Sequence, residues 1–383
     1  MVASTEDYQI SPSSWNRFEE CPRKYWLSRQ RLPRKASMPA SLGTAIHNTV
    51  EDLCNLETSG RAGNEIGWLQ STAMDVLEGN WETERKLFMN TPRHPRWKPE
   101  LFSKALDGLA GALSILFSKA KLPDYELSEV TIQDWRQMQG IVLATEETLQ
   151  SDCGRMMGRL DLLILDLENE ERGNWIVADL KTGKPPSSEL SEQVSRQLLF
   201  YRDLMKQRNP EQSSMDAEGW YSANQTVFRA EGPPILDQAI EAWKSMAPSE
   251  SPLRATPSRA ACSFCDWKAW CPKWWVAMYD GQMESGGMFR DEVVRMVRLD
   301  QESGAALFER TTPKGREGDL SGSDHRFGAI LKDQALEKII HLGDSALESE
   351  LFLGSVRADR NIVHMGDWSE IIPWSPILIS TSN

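Results

Sequence analysis

Four cysteines constrain this chain more than anything else in it. Cys262, Cys265 and Cys271 fall within one stretch, CSFCDWKAWCP, while Cys21 stands alone near the N-terminus in EECPRKYW. Three thiolates in one loop need a fourth ligand from elsewhere, so a shared site would bring distant parts of the chain together. Sites built from four cysteines hold zinc or an iron–sulfur cluster, and spacing alone does not separate the two. Structural zinc more often takes two CxxC-type pairs, so three cysteines plus a remote one favour a cluster. Cys54 and Cys153 have no cysteine at short spacing and read as small buried apolar residues. The opening MVASTEDYQI is acidic and lacks an apolar run, so metal or cluster binding is expected rather than a disulfide framework.

The length allows more than one domain, and 40% hydrophobic residues suffice for a real core. A formal net charge of −13 argues against coating nucleic acid by bulk charge, but leaves room for a local basic groove. Residues 17–35 are such a place, with Arg17, Arg23, Lys24, Arg29, Arg31, Arg34 and Lys35 against Glu19 and Glu20. They read equally as a solvated helix face or a phosphate-binding edge. No run reaches the length of a membrane-spanning helix, and the expected location is the cytoplasm. Trp267, Trp270, Trp274 and Trp275 crowd the cysteine loop and read as shielding rather than base stacking.

Residues 11–30 predict a capped helix broken at Cys21-Pro22, and 42–57 a helix with Leu42, Ile46, Val50 and Leu53 at helical spacing. Residues 66–121 predict two long helices separated by TPRHPRWKP, a helical insert over about 60–125 serving as lid or wall. IVLATEETLQ, RLDLLILDLE and NWIVADLKTG predict strands. A helix over LSEQVSRQLLFYRDLMKQR, a strand over GWYSANQTVF and a helix over ILDQAIEAWKSM follow. Strands flanked by helices define a mixed α/β core. The polar MYDGQMESGGM reads as a linker. Beyond it, short alternating segments predict a small β-rich barrel or sandwich of roughly five strands, an OB-like barrel being one form. The expected domains are thus 1–278 and 285–383. Residues 281–383 carry 11 basic and 17 acidic side chains, which weakens the idea that this region grips DNA.

Alternate residues of a strand share a face, so Asp179 and Lys181 point the same way. If 160–167 and 175–182 pair through NEERGN, the register that closes this loop sets Asp161 opposite Lys181, with Asp179 diagonal on the same face. Two carboxylates and an ammonium suit metal-assisted phosphodiester hydrolysis. Hard oxygens hold Mg2+ or Mn2+, the metal lowers the pKa of a bound water, and the lysine positions that water or stabilises developing charge. Alone, the DxK pattern also describes an ordinary Asp–Lys pair on a surface hairpin. His47, one turn before Glu51, offers an imidazole that Mn2+ accepts, or is a structural histidine. Gln197 and Tyr201, four apart on a helix, can hydrogen-bond a DNA phosphate or hold the lysine.

Taken in order, over about residues 10–275, these segments resemble the RecB-like branch of the PD-(D/E)XK nucleases, specifically its iron–sulfur subclass. That subclass includes CRISPR-adaptation exonucleases and AddAB-type nuclease domains. SPSSWNRFEECPRKYWL is similar to the family's opening, with its first cluster cysteine at Cys21. LGTAIH resembles the motif that supplies a metal-binding histidine, here His47, and GRLDLLI the segment with a metal-binding aspartate, here Asp161. VADLKTGK resembles the (D/E)xK element, which makes Asp179 a ligand and Lys181 the catalytic lysine. QLLFY resembles the QxxxY motif at Gln197 and Tyr201, and the closing triplet is Cys262, Cys265 and Cys271.

The resemblance implies a restriction-endonuclease-like α/β core and a Mg2+- or Mn2+-dependent deoxyribonuclease with a structural [4Fe–4S] cluster. It implies an exonuclease on single-stranded DNA or DNA ends, serving DNA repair, recombination or mobile-element defence, with a helicase or integrase as partner. A competing reading is a non-catalytic, cluster-stabilised DNA-binding or adaptor subunit, which has no need of the Asp161, Asp179 and Lys181 set. Another keeps the fold and replaces the cluster with zinc. The insert after His47 and the C-terminal region match no family motif.

Overall fold

A computed structural model describes residues 8–168, 173–212, 214–283, 288–314, 316, 325–359 and 362–377. The chain forms two compact units and passes between them more than once. The first takes in the residues up to Asn16, Ser37–Asn90 and Trp97–Pro248; the second takes in Arg17–Ala36, Thr91–Arg96 and the chain from Ser249 onward.

The helices are α1 (Pro12–Glu20), α2 (Pro22–Ser28), α3 (Met38–Cys54), α4 (Trp68–Asn90), α5 (Phe102–Lys119), α6 (Ile132–Ile141), α7 (Glu192–Arg208), α8 (Leu236–Ser245), α9 (Arg259–Ser263), α10 (Pro272–Tyr279), α11 (Asp333–Leu342) and α12 (Ser345–Glu348). The break between α1 and α2 falls at Cys21, where Pro22 opens the new helix. Helix α6 was not predicted. Its start carries a capping box, with Thr131 accepting from the Asp134 N–H while Asp134 accepts from the Thr131 N–H.

The first unit is built on a five-stranded sheet, β1 (Val142–Gln150), β2 (Met157–Leu165), β3 (Trp175–Lys181), β4 (Met215–Tyr221) and β5 (Thr226–Arg229), in that spatial order. All neighbours are antiparallel except β3 and β4. A parallel pair needs a crossover, and α7 supplies it. The single strand expected over GWYSANQTVF is two strands joined by a turn, with Gln225 at φ 57°. Helices α3, α4 and α5 pack together, with Trp81, Phe88, Trp97 and Phe102 in edge or tilted contact among themselves.

One apolar stretch, Pro99–Lys119, is long and apolar enough to cross a membrane, contrary to expectation. Half of it is buried inside the protein, through Ala105, Leu109, Leu113, Leu116 and Phe117, and it packs on α3 and β4. It is a core helix of the α/β unit.

The second unit holds strands β6 (Phe289–Asp300), β7 (Ala305–Arg310), β8 (Arg326–Leu331), β9 (Glu350–Asp359), β10 (Ile362–Met365) and β11 (Glu370–Pro373). Their order is β10-β8-β7-β6-β9-β11, and β10 also pairs with β9. Five strands therefore close on one another in the order β6, β7, β8, β10, β9. The β8/β10 pair is parallel, with α11 lying in the chain between β8 and β9. Phe308, Phe327, Leu351, Leu353 and Val356 fill the interior.

A second cluster in this unit joins Trp26, Trp270, Trp274 and Trp275 to Val293 and Phe352. That packing explains why the units divide elsewhere than at 278–285. The cysteine segment shares its core with the C-terminal strands. Residues 284–287 of the expected linker lie outside the described residues.

Candidate functional site

Three adjacent strands set three acids at one level of the first sheet. Thr145 pairs with Leu162 and Glu147 with Leu160, so Glu146 stands level with Asp161. Leu162 pairs with Ala178, so Asp179 is level with Asp161 on the other side. The register thus differs by two residues from the one expected, which put Lys181 at that level. A clasp inside the hairpin fixes it: the Asp166 N–H donates to the Asn174 carbonyl at 2.9 Å, and Asn174 Nδ2 donates to Asp166 Oδ2 at 3.0 Å. Residues 169–172 of NEERGN lie outside the described residues. Because side chains alternate with a period of two, a shift of two keeps the same face.

Each acid is held by its surroundings. The Leu180 N–H donates to Asp161 Oδ2 at 2.7 Å. Asp179 is buried; its Oδ1 accepts from Gln197 Nε2 at 2.7 Å, and its Oδ2 lies 2.5 Å from Lys181 Nζ. Glu146 sits at φ 48°, a left-handed conformation uncommon for a non-glycine residue. Such strain costs about 1–3 kcal/mol and concentrates at functional sites. Arg159 holds its carboxylate, with Nε 2.6 Å from Glu146 Oε2 and a second nitrogen 3.8 Å from Glu51.

Helix α3 packs against β1 and delivers His47. Its Nδ1 lies 3.5 Å from Asp161 Oδ2 and 3.8 Å from Glu146 Oε1. A glycine permits the approach of the LGTAIH turn, because a Cβ on Gly43 would stand 3.0 Å from Thr182 Oγ1. On the other side, Gln197 of α7 accepts from Lys181 Nζ at 3.0 Å and donates to Tyr201 Oη at 3.2 Å. Gly158 makes room for that tyrosine; a Cβ there would come within 2.4 Å of the ring. All six expected residues of the first unit, His47, Asp161, Asp179, Lys181, Gln197 and Tyr201, therefore converge.

The electrostatics follow from crowding acids in a poorly hydrated place. Burial and the neighbouring Asp161 push Asp179 up to about 6, against the pull of Lys181. Burial alone would lower His47, but hydrogen bonding to Asp161 and Glu146 outweighs it and raises the imidazole to about 10. Burial, and then Asp179, also raise Tyr201. Such a set asks for a cation. Among the described residues, the group of three ligand atoms lying within 4.8 Å of one another is His47, Glu146 and Asp161. Carboxylate oxygens with one imidazole suit Mg2+ or Mn2+. Glu146 was missed from the sequence. The signal available was an acid inside a strand, and nothing local distinguishes it from Glu147 beside it.

The cysteines also come together, all within the second unit. Cys21, Cys262, Cys265 and Cys271 line one pocket with Arg23, Lys24, Leu27, Ala255, Pro257, Ala261, Lys268 and Trp274. Burial raises the thiols of Cys262, Cys265 and Cys271, the last two to about 12 and about 11. Trp270, Trp274 and Trp275 are buried around the loop, so they shield it. The basic segment is largely used within its own unit: Arg17 donates to Ser28, Lys24 pairs with Glu20, Arg29 lies over Tyr25 and Lys35 pairs with Glu370.

The model of the PD-(D/E)XK nuclease superfamily matches residues 9–272, from before the first cysteine to just past the last. The chain belongs to this superfamily of metal-dependent nucleases. No curated protein matches it.

Proposed function

We propose that the chain is a RecB-like, iron–sulfur PD-(D/E)XK deoxyribonuclease that uses Mg2+ or Mn2+ and degrades single-stranded DNA or DNA ends as an exonuclease. The observation that carries this is the convergence of His47, Glu146, Asp161 and Asp179 beside Lys181 on one face of the sheet. Those four side chains would hold the cation, which when bound lowers the pKa of a water and offsets phosphate charge. Lys181 presents its ammonium toward the attacking water or the scissile phosphate. Gln197 keeps that ammonium and Asp179 in one orientation by bonding both, and Tyr201 steadies Gln197.

Four cysteines around one apolar-walled pocket suit a [4Fe–4S] cluster as a structural clamp. Three cysteines in one loop with a remote fourth favour the cluster over a single zinc. The closed order of β6, β7, β8, β10 and β9, with its parallel pair and intervening helix, supports an OB-like reading of the C-terminal sheet. The role is cytoplasmic DNA repair, recombination or mobile-element defence, with a helicase or integrase partner.

End-labelled single- and double-stranded DNA, incubated with Mn2+, tests the reading. Stepwise products from single strands or from ends are expected, and none from Lys181→Ala. No cleavage of either substrate by cluster-loaded protein would leave a DNA-binding adaptor.

A further inference from the structure

Three cations line the cysteine pocket, and they are not equivalent. Lys24 Nζ is paired with Glu20 at 2.7 Å, and Lys268 Nζ with Asp291 at 2.5 Å. Arg23 has no carboxylate partner of this kind among the described residues. The residue is only 2% exposed, and its Nε donates to the Leu253 carbonyl at 2.6 Å. The backbone is tied as well, Arg23 N donating to the Arg254 carbonyl at 3.0 Å. One guanidinium nitrogen, the first Nη, is buried without any hydrogen-bond partner. Cys21 and Cys271 both lie close enough to interact with this charge.

An orphaned donor on a buried cation is costly, and native proteins seldom keep one without a partner. The pocket itself offers the partner. Four thiolates outweigh the charge of an oxidised iron–sulfide core, and a further electron adds to the excess. Walls of Leu27, Ala255, Pro257, Ala261 and Trp274 give that negative charge little solvation. Lys24 and Lys268 are already neutralised. Arg23 is therefore the cation left to balance the cluster, and its free N–H is the donor left to bond sulfur.

We infer that Arg23 is a cluster-binding residue: its guanidinium donates to a cluster sulfur or cysteine sulfur beside Cys21 and Cys271 and supplies the buried counter-charge that holds the cluster in an apolar pocket. This rests on the iron–sulfur reading above. It assigns the arginine of the EECPRKYW segment a ligand, where charge counting alone placed it in a general basic patch.

The test uses the full chain, reconstituted anaerobically with ferrous iron and sulfide, as wild type, Arg23→Lys and Arg23→Met. Iron and labile sulfide, the Fe–S stretching bands, the midpoint potential and the rate of iron loss to a chelator are measured, together with the melting temperature of each cluster-free protein. Arg23→Met is expected to shift the potential to a more negative value, because hydrogen bonds to sulfur and net charge set it. Its Fe–S bands should move, and its iron should be lost several-fold faster. Arg23→Lys, which keeps the charge without the fork, should fall between. If Arg23→Met takes up no cluster, the Lys variant still carries the test. Either variant with wild-type bands and potential overturns the role of Arg23 while leaving the cluster in place. A wild-type chain that takes up no iron and sulfide overturns the cluster reading itself.

Discussion

The acidic site and the cysteine pocket gather their side chains by opposite means. In the first unit the candidate side chains stand on neighbouring strands and one helix, and the sheet ladder sets the level of the acids. The site tolerates partial exposure, with His47 and Asp161 side chains 23% and 15% accessible. In the second unit the cysteines that share a pocket are Cys21 and three from a loop far along the chain, and no ladder aligns them. A packed cluster of tryptophans with Val293 and Phe352 does so instead. A site held by a ladder can lose a side chain and keep its frame. A site held by packing depends on everything that packs.

Breaking that comparison begins with chemistry. Lys181→Ala and Asp179→Asn should each lower cleavage by about 10²–10³-fold or more, by analogy with loss of a charge-stabilising group, with little fall in melting temperature. Kinetics on single-stranded DNA with saturating Mn2+, beside thermal melts, would show it. Wild-type rates in either variant would remove the assignment.

Truncation near Gln282 comes next. It deletes Val293 and Phe352, along with Ile372, Trp374 and Ile377, which pack against the cysteine segment's tryptophans. The truncated chain should lose cluster content and solubility. A soluble, fully loaded truncation would show that the cysteine region stands by itself.

If the four cysteines hold the proposed cluster, Cys21→Ala should lower stability by opening that clamp. Closing so long a loop is worth about 5 kcal/mol by the chain-entropy estimate for a long-loop disulfide. Melting temperature and cluster content should fall together, and cleavage should persist at low temperature. A variant that lost its cluster and melted like wild type would exclude the clamp.

The raised acid in the first unit gives a pH signature. Asp179 is more easily protonated folded than unfolded, so its contribution is full below its ordinary value and is lost as pH rises through about 6. His47 follows the same sign over a higher window, losing its contribution toward about 10. Metal-free protein should therefore lose melting temperature relative to Asp179→Asn between about pH 4 and about pH 7. Parallel slopes for the two proteins would contradict this.

Smallest is the strain at Glu146. Glu146→Gly should raise metal-free stability by about 1 kcal/mol, because glycine adopts φ 48° freely, while lowering cleavage. Calorimetry and Mn2+ titration of activity separate the two effects. Equal cleavage would show that Glu146 is no ligand.

Much of the first site was legible because strand and helix periods are local rules. DxK puts Asp179 and Lys181 on one face whatever the register, and QxxxY puts Gln197 and Tyr201 one helical turn apart. The register itself was not legible, because it depends on the clasp of Asp166 with Asn174 inside the hairpin. Glu146 was hidden for a related reason. Only the level of β1 against β2, and a backbone in the left-handed region, distinguish it from Glu147. Helix α6 carried a readable capping box, and the segment was too short and polar for its period to stand out.

The sequence alone determined which side chains were available for chemistry: hard-ligand acids with a histidine and lysine in one region, thiols in another. It also determined the alternation of strands and helices that makes an α/β core. Tertiary structure decided which acids share a level and which unit the cysteine loop belongs to. It also decided that Arg23, one cation among seven in residues 17–35, is the buried one with a free donor. The reason is physical. Periodicity is set by bonds between near neighbours, whereas register, burial and pairing of charge are set by residues far apart in the chain, whose meeting no local pattern encodes.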